Sequence, residues 1–176
     1  MQTHLNCKWS RETVDTFKSG NPDNVVTGVA VSMFADMTTL RKAVANNCNL
    51  IIVHEPTFYN LKGSQLRIVG DPQMRFTNVA LAVGAPGSQS HRALLNDKST
   101  ELLVAGEAQE WETYEYVLDA SMLGMKKAAI FTGHIPSEEA GMEYCANWLK
   151  TFIKDIPVIY LENGSAYWSV QNVQKP

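Results

Sequence analysis

Cysteine is scarce in this chain and forms no pattern. Of 176 residues only Cys7, Cys48 and Cys145 are cysteine. An odd number with no CxxC spacing excludes a disulfide framework and a zinc knuckle; it fits buried thiols in a reducing compartment. Long apolar runs are missing too. None approaches the ~18 residues needed to span a bilayer. The stretch from Met1 to Ser10 has no basic head followed by an apolar segment, so no secretory leader is expected. Basic clusters are absent beyond the pair Lys126 and Lys127. With 19% charged residues and a net charge of -3, the chain offers phosphates no counter-surface. The expectation is a cytoplasmic protein that binds neither nucleic acid nor membrane.

What is present is a globular composition, 45% hydrophobic, in which short apolar runs alternate with helical periodicity. Residues 25–33, 49–53, 79–83, 102–105, 127–131, 158–161 and 166–170 read as strands. Asp36 is placed to cap a helix reaching about Asn47. A second helix is expected over 110–125, with Trp111, Tyr114, Val117, Leu118 and Met122 inward. A third follows Ser137 as its cap, with Gly141, Tyr144, Cys145, Trp148, Leu149 and Phe152 as its inner stripe. Strands alternating with helices predict an α/β fold of two related lobes, each a mostly parallel sheet flanked by helices. The first lobe is expected over 1–60 and the second over 78–176. Residues 61–77, rich in turn formers, read as the connector.

In open α/β sheets ligands bind beyond the carboxyl ends of the strands. Three strand ends here deliver His54 and Glu55, then Glu107, then His134 and Glu138. Imidazole with carboxylate suits zinc, manganese, iron or nickel. Each residue has a plainer reading: a surface histidine, a turn before Pro56, a carboxylate favoured by a helix dipole. Their convergence at strand ends is what points to a metal site, with His54, Glu55, His134 and Glu138 facing the ion. His91 is expected exposed on a short helix and His4 in a loose terminus. The loop 84–88 follows a strand but lacks the Lys-Ser/Thr ending of a phosphate loop.

Residues 49–60 (NLIIVHEPTFYN) resemble the apolar run, histidine pair, proline and aromatics of the Nif-three-like (NGG-one-interacting factor three) family. Residues 133–138 (GHIPSE) resemble its Gly-His-x-x-Ser-Glu signature, 104–107 (VAGE) its Thr-Gly-Glu stretch, and 27–31 its opening strand. These blocks span most of the chain. The resemblance implies two α/β lobes around a dinuclear metal centre and a toroidal homohexamer; some members carry the name GTP cyclohydrolase I type 2 homologue. It makes His54, His134 and Glu138 metal ligands, with Glu55 where the family has a second histidine. A carboxylate there shifts preference toward harder metals. The family's bridging Asp has no counterpart between Asn60 and the strand at Val79, so the chain resembles a shortened member.

Two functional classes follow. The first is a metal-dependent hydrolase of a nucleotide-like or cyclic amide compound, with one or two divalent transition ions per chain and Glu107 and Glu138 moving protons. The second is a non-catalytic metal-binding, ring-forming scaffold or metal-handling protein.

Overall fold

The structure, a computed structural model, describes His4, Thr13 and residues 16–54 and 66–163. Two sheets organise it. In the first, β1 (Val29–Ser32) lies between β2 (Leu50–Val53) and β7 (Val158–Tyr160), all parallel. In the second the order is β3 (Arg67–Val69), β6 (Ala128–Phe131), β5 (Leu102–Ala105) and β4 (Val79–Ala82). Only β3 runs antiparallel there. The architecture is therefore α/β with mostly parallel sheets flanked by helices, as the alternation of strands and helices predicts.

The first sheet is covered on both faces. Helix α1 (Met37–Ala45) starts where the Asp36 carboxylate accepts from the Thr39 N–H at 2.7 Å, the cap expected from sequence. Its Ala43 packs with Ala30 and Cys48. On the other face α4 (His134–Leu149) buries Ala146 and Leu149 against Val29, Val31 and Val158. The sequence expectation groups strand 158–161 with the second lobe; its hydrogen bonds go instead to β1. The chain returns to the first sheet because α4 leaves the second sheet after β6 and docks on β1 and β7. Likewise β3 falls within the expected connector, since its three residues extend the second sheet beside β6.

The second sheet packs one face on α2 (Ser88–Asn96) and α3 (Glu115–Met122) through Ala82, Leu95, Leu103, Ala105, Val117 and Phe131. Its other face carries Ile68, Ile130, Val104 and Leu81 in register straight across four strands. The two outermost, Ile68 and Leu81, remain 59% and 70% exposed.

The helix expected over 110–125 is interrupted. Residues Glu110–Tyr114 form a π-helical turn before α3 begins. The wider turn, with i→i+5 bonding, rotates the buried stripe. Thr113, Val117 and Ala120 point inward, whereas Trp111 and Met122 are 77% and 79% exposed. His91, expected at the surface, is fully buried, its Nδ1 3.1 Å from Thr113 Oγ1. His4 stacks on Phe152 at 4.0 Å rather than hanging loose. The strand expected at 166–170 lies outside the described residues.

Candidate metal centre

The carboxyl ends of β2 and β6 come from different sheets and meet at α4. His54 follows β2 directly, and His134 opens α4 three residues after the end of β6. Glu138 sits one turn along α4, where an i, i+4 side chain lies over its neighbour. Glu138 Oε2 is 2.9 Å from His134 Nε2 and 3.4 Å from His54 Nε2. Glu55 lies outside the described residues. Glu107, just after β5, brings Oε1 to 3.6 Å from His134 Nδ1, so the two nitrogens of this ring face two different carboxylates.

From sequence, Ser137 is expected to cap α4. The helix instead begins three residues earlier, after Gly133 at φ +92°. Pro136 in the first turn is compatible with this, because that turn's N–H groups have no intrahelical partner. Ser137 has another task. Its hydroxyl accepts from the Gly84 N–H at 2.8 Å and donates to the His134 carbonyl at 2.6 Å. That ties the turn after β4 to the first turn of α4.

Two glycines allow the close approach. A Cβ on Gly84, whose φ is +66°, would lie 2.5 Å from Glu138 Oε1. A Cβ on Gly106 would lie 2.3 Å from the Gly84 carbonyl and 2.6 Å from Ser137 Oγ. Their spacing after two parallel strands is visible in the sequence. Which carboxylate they seat is not, because it arrives from more than 30 residues away.

The donor set suits a divalent transition ion. Two ligands at ~2.1 Å from one ion are separated by roughly 3.0–3.4 Å when they subtend 90–110°. The nitrogen–oxygen distances of 2.9 and 3.4 Å match that separation. Glu138 Oε2 is buried, and no hydrogen bond among the described residues satisfies it. A buried carboxylate oxygen that faces two imidazole nitrogens and accepts no hydrogen bond is suited to a cation. Among the described residues, no group of three or more His, Cys, Asp and Glu side chains is arranged so that it could hold a metal ion.

Beside it, on the Nδ1 side of His134, opens a cavity of about 600 Å³. Its walls include Glu107, Trp111, Tyr114 and Arg67. Tyr114 is stacked on Phe131, ring centroids 4.2 Å apart and 10° from parallel. Apart from Glu107, this wall carries no functional signal in the sequence, because the spacing of Trp111 and Tyr114 also suits a buried helix face.

Fold and site together define an α/β protein with an imidazole–carboxylate cluster where strand ends of two sheets meet. No protein-family profile matches the chain, and no curated protein matches it. In structure it is similar to protein ybgI, a structural-genomics subject of unknown function, with a TM-score of 0.54 and 12% identity over 80% of this chain and 86% of that one. At that identity the likeness concerns the fold. No helix among the described residues is long and apolar enough to cross a membrane.

Proposed function

We propose that this chain is a metal-binding protein of the Nif-three-like family and works as a metal-dependent hydrolase of small molecules. The observation that carries the reading is the approach of His54 and His134, from two sheets, to one buried oxygen of Glu138. The family motifs at 49–60 and 133–138 bracket the same residues. The similarity in fold to protein ybgI is compatible with it.

His54, His134 and Glu138 would hold a divalent zinc, manganese, iron or nickel ion, with Glu55, the next residue in the sequence, facing a second ion or supporting a ligand from outside the coordination sphere. Such an ion acidifies a bound water and polarises the bond to be cleaved. The chain's own residues do the rest. Glu107 Oε1 stands 3.6 Å from His134 Nδ1, where a small shortening to a hydrogen bond would fix the ring's tautomer as carboxylates do for ligating histidines. Glu107 also borders the cavity, so its carboxylate can take or return a proton from a substrate bound there. Glu138, packed against Gly84 and facing both imidazoles, serves better as a ligand than as a mobile base.

Metal analysis of the purified protein by mass spectrometry tests the reading. His134→Ala should strip most of the bound transition metal, while Glu143→Ala, exposed on the same helix, should leave it. Equal metal content in the two variants refutes the proposal.

One observation favours the alternative of a ring-forming scaffold: the apolar row from Ile68 to Leu81 on the open face of the second sheet. With Leu66, Val79 and Val83 also 47–66% exposed, it amounts to roughly 500 Å² of apolar side chain. That approaches the ~800 Å² per partner of an ordinary interface. The occupant this supports is a second copy of the chain, and a homo-oligomer, up to a hexamer, is compatible with either reading.

A further inference from the structure

The cavity beside His134 has a chemical character of its own, set by the π-helical turn 110–114. That turn sends Thr113 inward to His91 and leaves Trp111 outward at 77% exposure on the cavity wall. A continuous α-helix with the inward stripe expected from sequence would have buried this indole. Tyr114, backed by Phe131, forms a second flat surface in the same wall. A large exposed aromatic at a concave surface is a place to stack a flat ligand.

The charges on the wall select among flat ligands. Glu107 and Glu110 contribute two carboxylates, and Arg67 one guanidinium. Arg67 Nη1 is already engaged with Glu110 Oε1 at 2.9 Å. Among the described residues Glu107 faces His134 Nδ1, at 3.6 Å, and a carboxylate accepts several more donors. The wall is therefore rich in acceptors and π faces, and Glu107 and Glu110 outweigh Arg67 by one negative charge. An anionic ligand would meet two carboxylates and a guanidinium that Glu110 already partly neutralises.

We propose that this cavity binds a flat, N–H-bearing nitrogen ring, neutral or cationic, such as a cyclic amidine or an amino-substituted heterocycle, stacked on Trp111 with its N–H edge toward Glu107. The proposal rests on the hydrolase reading for the reaction that follows, and narrows it toward cyclic amide and amidine substrates without anionic tails. Binding itself needs only the wall. A volume of about 600 Å³ accommodates one or two fused rings. A cationic ring also gains attraction from the indole face.

Benzamidine and benzenesulfonate are flat probes of similar size and opposite charge, and the sulfonate is a poor metal ligand. Each is titrated calorimetrically into the purified protein. Benzamidine should bind at least about tenfold tighter than benzenesulfonate, and Trp111→Ala and Glu107→Gln should each weaken it by about tenfold. Trp111 is exposed, so its loss leaves the thermal midpoint near wild type. Arg67→Ala, which frees Glu110, should hold or tighten benzamidine binding. Benzenesulfonate binding as tightly as benzamidine, or unchanged benzamidine affinity in Trp111→Ala, overturns the proposal. Metal content measured on the same samples separates the two readings. Protein that binds benzamidine but takes up no transition metal would sink the hydrolase reading alone; metal-loaded protein that ignores benzamidine would sink this one alone.

Discussion

His54 Nε2 lies 3.4 Å from Glu138 Oε2, and this contact joins the end of a strand in one sheet to a helix that leaves the other. The two residues are 84 positions apart. The geometry of the whole site depends on that junction.

Ion number follows from how the donors arrive. His134 and Glu138 are set by one turn of α4, whereas His54 comes from β2. In the sequence Pro56 favours extended backbone at the residue before it, and adjacent residues on such backbone point to opposite sides, so His54 and Glu55 are not expected to grip one ion together. Titration with manganese or zinc in a calorimeter should reveal at most one tight ion per chain. Two tight, equivalent ions would mean that Glu107, 3.6 Å from His134, has taken a bridging role.

Gly84 controls where the carboxylate sits. A Cβ there meets the Glu138 carboxylate at 2.5 Å, and the φ of +66° disfavours any L side chain. Gly84→Ala should cost about 1 kcal/mol through the backbone alone and push the carboxylate off the imidazoles. Metal occupancy should fall several-fold while the protein stays folded. Gly106→Ala meets backbone at 2.3 Å instead, so it should destabilise the fold more than Gly84→Ala does. Thermal melts and metal analysis on both variants check the order.

His91 carries a pH signature. Burial lowers its pKa below 6.5, and among the described residues Nε2 has no hydrogen-bond partner to stabilise a charge. Below about pH 6.5 the unfolded chain takes up a proton that the folded chain refuses. Stability should therefore be lost as pH falls through that value toward the lowered folded-state pKa. His91→Leu cannot titrate. The slope of melting temperature against pH between 8 and 5 should be shallower in His91→Leu than in wild type, and identical slopes would contradict the assignment.

Asn163 is a buried hub after β7. Its Oδ1 accepts from Ser32 Oγ and from the Met33 and Phe34 N–H groups at 2.7–3.1 Å. Its Nδ2 donates to the Phe34 carbonyl, Asp36 Oδ2 and Thr39 Oγ1 at 2.8–3.2 Å. Asn163→Ala leaves several of these groups buried and unpaired, at about 3 kcal/mol. Asn163→Asp keeps the acceptor but sets a carboxylate against Asp36, so it should fare no better in a denaturant melt.

Leu81 tests the open sheet face. At 70% exposure in the single chain, Leu81→Glu should change monomer stability by within about 0.5 kcal/mol. If copies associate through this face, light scattering should shift to a smaller species. A wild-type protein that is monomeric throughout the micromolar range removes the interface.

Local features are legible in the order of residues. The Asp36 cap, strands 50–53 and 102–105, and the arrival of histidines and carboxylates after apolar runs all depend on neighbours within a few residues. The π turn is not legible, because a one-residue widening leaves the apolar spacing looking helical until packing chooses which residues turn inward. The burial of His91 escapes a sequence reading for a related reason: a single histidine on a short helix is polar by type, and only Thr113 and the sheet beneath enclose it.

By itself, then, the chain's order of residues determined which side chains stand at strand ends and that the fold alternates strand and helix, since both are set by short-range sterics and periodicity. Tertiary structure alone decided that β7 joins β1, that α4 spans from one sheet to the other, and that His54 reaches Glu138. Those outcomes depend on burying the Ala146 and Leu149 face of α4 against Val29, Val31 and Val158. That burial is a long-range packing choice for which no local spacing carries a signal.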